Sequence, residues 1–581
     1  MHALHEKPYP PKGPWHFVGK ALASYWTGNA AEGDAAILGL KKEEQRQGSS
    51  DEDGAFHWRA FQIERTIFLF GRDGVFVAGR MSPEAERTAK EVLWEWLEPR
   101  ARKVLVDPSK GWWIWGSENH HLQAWFSMWG AMQLFAKDPN YSARTFADGS
   151  RVSELKLGFD EYFKRWIRNR ATRGLFVECG SPTYAKYSLS GFYNFVDFSD
   201  DAELRRLAKE FLDLCWAQWA LEQVDGLRAG SRHRSYAGGS STRQGAASDL
   251  AWFHFGTGAQ SKHPASWCTA TSGYTPPALV QDIVHRRSEL GAYQITSRQP
   301  GLVKPGRVNF SDDPNYPLYS PRGLYEFDPT CPSMLRKTYA TPGFILGATM
   351  VPALPQSAWA AFSSQNRWDG VIFAGKGSPR IFVQPQKPAK GSLYNTQWSV
   401  MEQGALIIQR LPDSNAKTSR VFFSKSLPRT ERAGWIFVEA PEAYAAVKIV
   451  EGRWKWEPNA PSYCRGRFTP GLGEWLAPEK EFSPTVIEVS PKTAWPAFAD
   501  FQNAILGNEL QQSGSRLDYT SSFYKTTLTL FTDFKQPPLI QNRPVNYEPP
   551  KSFDGPVLQA EFGGRTVHLK ALGQTHDFSF D

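Results

Sequence analysis

Apolar positions recur every three to four residues through the first half of the chain and at alternate positions through much of the second, so helices are expected first and strands afterwards. Residues 55–70 have helical apolar spacing. Ser82-Pro83-Glu84 opens a second helix, with a hydroxyl at the N-cap, proline at the first position and an acid in the first turn. It runs through Val92, Leu93, Trp96 and Leu97 and stops before Pro99. Ser117 caps a third, with Leu122, Trp125, Phe126 and Trp129 on one face and an end before Asp138-Pro139. Residues 152–170 give a fourth, Ser181-Pro182 opens a fifth, residues 200–223 form a sixth, and 246–256 and 276–291 are further helical segments. The succession reads as antiparallel helix pairs, without the fixed-period repeat of a TPR or HEAT array.

Prolines at 300, 305, 314, 317, 321, 329 and 332 then punctuate a stretch that cannot be helical. Beyond it, short β-branched and aromatic runs between turn signals predict strands at 336–351, 370–374, 380–384, 404–410, 419–424, 434–439, 445–450, 485–490, 525–532 and 563–570. The expected architecture is therefore multidomain, α then β: an N-terminal (α/α) toroid over 1–296, a proline-rich junction over 297–335, and an antiparallel β-sandwich over 336–581.

Composition narrows the function. At 581 residues, 41% hydrophobic and 22% charged, the chain is long enough for two large cores and is not of disordered type. The 23 Trp suit flat platforms for sugar rings as well as packing. A net charge of +8 can steer a polyanion. No helix-turn-helix, zinc-finger or RNP pattern accompanies it, so a nucleic-acid partner is not expected. The five Cys form no CxxC pair, which speaks against a zinc ribbon. The first residues show no apolar segment of signal-peptide type. No membrane partner is expected either, because the apolar run around 344–354 is broken by Gly347 and Pro352.

Three clusters carry candidate chemistry. The first is Trp112-Trp113-Ile114-Trp115-Gly116-Ser117-Glu118-Asn119-His120-His121, which puts Glu118, Asn119 and His120 in the first turn of a helix, where free N–H groups favour an anion. The second, Glu178 to Tyr187, places Tyr184 and Tyr187 on one face of a helix begun by Ser181-Pro182. The third, Gly226 to Gly239, is read as a glycine-rich basic loop bearing Arg228, Arg232, Arg234 and Tyr236. Asn, His, Tyr and Arg are the groups needed to remove a proton next to a carboxylate. An amide or guanidinium neutralises the carboxylate, one side chain takes the proton, and another protonates the departing oxygen. His120 and His121 are adjacent and cannot chelate one ion as an i, i+4 pair does, so no metal site is expected there and no cofactor is required; a structural ion in the sheet half stays open.

The motifs Ser117-Glu118-Asn119-His120, Glu178 through Tyr187 and Arg234-Ser235-Tyr236, in this order ahead of a strand-rich half, resemble the (α/α)-toroid polysaccharide lyases of the heparinase II/III-like and alginate-lyase type. The resemblance implies a lyase that cleaves a uronic-acid polysaccharide by β-elimination in the periplasm or outside the cell. It further implies that Asn119 holds the carboxylate, that His120 and Tyr184 share the base and acid roles, and that Arg234 and Tyr236 orient the uronate. Trp113, Trp115, Glu118, His121, Glu178, Tyr187 and Arg232 complete the candidate binding set. Two alternatives remain from the residues alone. One is a glycoside hydrolase on a similar toroid, with Glu118 and Glu178 as its carboxylate pair and Asp249 as a further acid. The other is a non-catalytic glycan-binding protein. Oligomeric state has no signature here.

Overall fold

The computed structural model describes residues 1–7, 14–47, 56–243, 245–258, 260–309, 324–330, 334–354, 358–359, 363, 365–385, 397–411, 419–457 and 471–581. A helical N-terminal half is followed by a half built from antiparallel sheets. The helices lie in two layers. Pro14–Thr27, Phe56–Phe70, Glu118–Ala136 and Ala185–Phe198 pack side by side as an inner arc, closed by the short helices Ala246–Phe255 and Ser266–Ala270. Ala30–Gln47, Pro83–Leu97, Val152–Ala171 and Ala202–Leu221 lie outside them. The middle inner helix, Glu118–Ala136, is buried almost all round, as a helix covered on every side must be. Small residues let the inner helices approach: a Cβ at Gly191 would collide with the Phe126 ring, and one at Gly130 with Glu64.

The expected helices over 55–70, from Ser82, from Ser117, over 152–170 and over 200–223 are present within two residues of those bounds. The fifth differs. Ser181 Oγ accepts the Tyr184 N–H at 3.1 Å and closes a turn, so the helix starts at Ala185 and Tyr184 is its N-cap. The segment 276–291 is shorter than expected, a helix Ala278–His285 followed by one 3₁₀ turn.

Among the described residues the largest sheet has twelve strands, running from Trp454–Glu457 at one edge to Gln574–Ser579 at the other. A six-stranded sheet faces it, and Leu346, Val371 and Val383 of one interdigitate with Leu406, Val438 and Ile487 of the other. A five-stranded sheet and the helix Phe498–Gly507 cover the far face of the six-stranded sheet. The opposite face of the twelve-stranded sheet packs on the helices through Ile345, Trp368, Ile372 and Phe382. Coverage on both faces explains why Phe344–Met350 is apolar without alternation and buried throughout.

Residues expected to be a junction take part in both halves. Tyr293–Gln299 pairs with Met334–Ala340, so the large sheet begins before residue 336. Leu324–Phe327 pairs with Trp113–Trp115 of the first cluster, Ile114 opposite Tyr325. Cys179, Cys215 and Cys268 are buried thiols, while Cys331 and Cys464 lie outside the described residues. Among the described residues no helix is long and apolar enough to cross a membrane, and no group of three or more His, Cys, Asp or Glu could hold a metal ion.

Candidate active site

The site lies where Glu118–Ala136 and Ala185–Phe198 begin. The strand Trp113–Trp115 ends at Gly116, whose φ of +73° makes the turn a side chain would strain. The chain then enters the helix at Ser117. From there the first turn splits into two tiers.

The lower tier is buried and ionic. Glu118 is 1% exposed, accepts the Glu178 N–H at 2.8 Å, and pairs with Arg170 Nη1 at 3.1 Å. Arg170 lies over the Trp112 ring at 4.0 Å. Burial pushes the Glu118 carboxyl up to about 7, with Arg170 pulling it back down. Asn119 Nδ2 donates to Glu178 Oε1 at 2.9 Å, to Oε2 at 2.8 Å, and to Ser117 Oγ at 3.2 Å. Glu178 is closed from its other side by Arg234 Nη1. Burial works against the charge of Arg234, and Glu178 outweighs it, so the guanidinium stays firmly cationic.

The upper tier is half-buried and aromatic. His120 Nδ1 lies 3.2 Å from His57 Nε2, and its ring leans on Trp58 at 4.8 Å. Trp58 stacks on Tyr187 at 4.9 Å, and the Tyr187 hydroxyl is 3.0 Å from His263 Nε2. Burial, with Lys186 adding to it, pushes His263 down to about 3, so this imidazole is neutral at neutral pH. On the other side the Arg234 guanidinium sits 4.0 Å above the Tyr184 ring, and its Nη2 donates to the Tyr236 hydroxyl at 3.3 Å. Burial raises the Tyr184 phenol above its usual range although Arg234 pulls it down, so Tyr184 rests protonated. Arg234 itself has a φ of +51°, a strained conformation for a side chain of this size. Gln365 holds it there, accepting the Arg234 backbone N–H at 2.6 Å and its Nε at 3.1 Å.

No family model matches the chain, and neither does any curated protein. Among solved structures it is similar to a heparinase III, at a TM-score of 0.36 and 10% identity over 90% of this chain and 85% of that one. It is also similar to a chondroitinase AC lyase solved with oligosaccharides, at 0.38 and 7% over 98% and 90%. Likeness of this degree says nothing of chemistry, which the side chains themselves have to carry.

Of the expected site residues, Asn119, His120, Glu118, Glu178, Tyr184, Tyr187, Arg234 and Tyr236 come together here, although Tyr184 and Tyr187 take different partners. Four others point elsewhere. His121 is sandwiched between Trp115 and Trp125, meets the Tyr162 hydroxyl at 3.0 Å, and is pushed far down by burial, so it packs and does not titrate. Trp115 is buried with it, and Trp113, half-buried, lies under the Lys110 ammonium at 5.1 Å. Arg232 is 1% exposed and stacks on Trp368 at 4.2 Å, because the segment read as a glycine-rich basic loop is covered by the sheet half.

The carboxylate pair of the hydrolase alternative is also accounted for. Both residues are buried, with both oxygens of each engaged by Arg170, Glu178 N–H, Asn119 and Arg234. Asp249 pairs with Lys186 at 3.0 Å. The residues that sequence reasoning missed are His57, Trp58, His263 and Gln365. The His57-Trp58 pair opens an inner helix just as Asn119-His120 does, and that shared position was the available signal.

Proposed function

We propose that the protein is a polysaccharide lyase that cleaves a uronic-acid polymer, of alginate, glucuronan or glycosaminoglycan kind, by β-elimination. One observation carries the reading. The Tyr184 and Tyr236 phenols stand half-buried against a cation, Arg234, and the half-buried His120 imidazole follows Asn119 at the same helix start, while the neighbouring carboxylates are turned inward. Such a set suits a substrate that brings its own carboxylate. Hydrolysis, by contrast, needs two carboxyl groups facing the sugar.

In this mechanism Arg234 neutralises the uronate carboxylate. Three of its five N–H donors serve Gln365, Glu178 and Tyr236, which leaves two for substrate. Asn119 has both its N–H groups engaged by Glu178 and Ser117, so it acts through Glu178 by holding Arg234 in place. His120, steadied by His57, removes the C5 proton. Its electron pair forms the C4=C5 double bond as the C4–O bond breaks, and Tyr184, resting protonated, delivers its proton to the departing glycosidic oxygen. Trp58 and Tyr187 offer flat faces to the sugar. No cofactor enters these steps. On this reading, and by the family resemblance, the enzyme works in the periplasm or outside the cell.

The test is ultraviolet absorbance followed against time on a panel of uronate polysaccharides, with reducing ends measured in parallel. The proposal expects both to rise on at least one polymer. Reducing ends without absorbance would count against elimination.

A further inference from the structure

The helix Val152–Ala171 shows two faces near its end. Trp166 and Arg170 turn inward, where Arg170 holds Glu118 beneath the candidate active site. Arg165, Arg168 and Asn169 turn outward onto an open cleft of about 590 Å³. The opposite wall is the turn Gly563-Gly564-Arg565, which joins the strands Leu558–Glu561 and Thr566–Ala571. The two walls are fastened together. The Gly563 N–H donates to the Thr172 carbonyl at 2.9 Å, and Thr172 Oγ1 donates to the Gly564 carbonyl at 2.8 Å. Gly563 has a φ of +74°, and a Cβ there would collide with the Arg173 side chain, so the turn comes this close only as glycine. The cleft is thus built into the fold.

Its charge is uneven. Four guanidinium groups line it, Arg165, Arg168, Arg173 and Arg565, against two carboxylates, Glu161 and Asp581. Glu161 is drawn to Lys164 at 2.5 Å. Arg168 pairs with Glu203, and Arg565 reaches Asp581 at 3.4 Å. Arg165 and Arg173 have no carboxylate within ion-pair distance among the described residues. Arg173 lies over the Phe562 ring at 5.7 Å and makes two long bonds to Asn169, both at 3.4 Å. It is half-buried, and burial presses on its charge with no acid opposing it. The cleft is far larger than a bare anion needs and falls within the ~300–1,000 Å³ of small-ligand sites. Guanidinium forks suit a carboxylate or sulfate, and the Asn169 amide and the peptide groups of the glycine turn suit ring hydroxyls.

We propose that this cleft is a second, non-catalytic binding site for an acidic sugar unit, whose carboxylate or sulfate is held by Arg165 and Arg173. It grips the polymer on the outer face of the helix whose inner face braces the active site. The inference rests on the reading that the protein's ligand is an acidic polysaccharide, but not on elimination.

The test is retardation of the full chain in gels containing alginate, glucuronan, chondroitin sulfate or heparin, with His120→Ala present so that the polymer stays intact. At least one of the four is expected to retard it, and neutral hydroxyethylcellulose is not. Arg165→Ala with Arg173→Ala is expected to raise the dissociation constant about tenfold. If that pair does not fold, Arg165→Glu alone, at an exposed position, is expected to weaken retardation in its place. Lys425→Ala with Lys535→Ala removes the same charge from the sheet half and is expected to stay within about twofold of the parent. No retardation of the parent, or equal loss in the two double variants, overturns the proposal. So does release by sulfate ion as complete as that by an oligosaccharide of the same polymer at equal concentration, which means a site for a free anion only. Elimination is read separately, by absorbance with His120 in place. Retardation without absorbance keeps this site and sinks the lyase reading; absorbance with retardation untouched in the arginine variants does the reverse.

Discussion

The two tiers at the start of Glu118–Ala136 are built from neighbouring residues and behave oppositely. Glu118 and Asn119 turn inward to Arg170, Glu178 and Arg234 and are shut away from water; His120, the next residue, faces out beside His57 and Trp58. The lower tier is a framework of paired buried charges, and removing one member leaves another uncompensated. The upper tier is a set of half-exposed rings that can exchange protons with what lies above them. A helix start can thus supply both the scaffold and the chemistry of a site, because successive side chains point about 100° apart.

Substitutions should separate the tiers. Glu178→Ala strands Arg234 and Asn119, so denaturant unfolding is expected to show a loss of about 3–5 kcal/mol, with turnover lost as well. Tyr184→Phe and His120→Ala belong to the other tier. Each is expected to cost about 10²–10⁴-fold in turnover while stability stays within about 1 kcal/mol of the parent. If either variant unfolds as readily as Glu178→Ala, the two-tier division fails.

The pH dependence of stability sharpens the contrast. The Glu118 carboxyl is raised in the folded protein from 4.5 to about 7, so the folded state holds its proton more tightly than the unfolded chain does. Its contribution is therefore full below about 4.5 and is lost as pH rises through about 7. Between about pH 5 and 8 the parent is expected to lose roughly 1–3 kcal/mol that Glu118→Gln does not lose. Glu64 and Glu488, also raised by burial, are common to both proteins and cancel in the difference. The smallest effect is expected at Trp58. Replacing it with Leu removes the stack on Tyr187 and should cost about 0.5–1.5 kcal/mol in unfolding, with a weaker KM rather than a dead enzyme.

Local signals explain how much of this was legible in the sequence. Pro83–Leu97 could be read because Ser82, Pro83 and Glu84 spell out a helix start, and Glu118–Ala136 because its apolar run is long. Tyr293–Gln299 was missed. Its sequence, YQITSRQ, is too polar to stand out, and its partners, Met334–Ala340 and Lys551–Asp554, lie far along the chain. The same limit applied at the site. The motif around Asn119 located it, but which residues face inward depended on Arg170 and Glu178, more than fifty positions away. Arg232 and Arg234 sit among Ser and Gly and read as a basic loop, whereas the segment 365–368 buries them.

The most direct test of elimination at this site is mass spectrometry of the fragments released from a defined uronate oligosaccharide in heavy-oxygen water. The account predicts two fragments whose masses sum to that of the parent, one of them unsaturated and neither labelled. Fragments that sum to the parent plus one water, with the heavy oxygen incorporated, would contradict it.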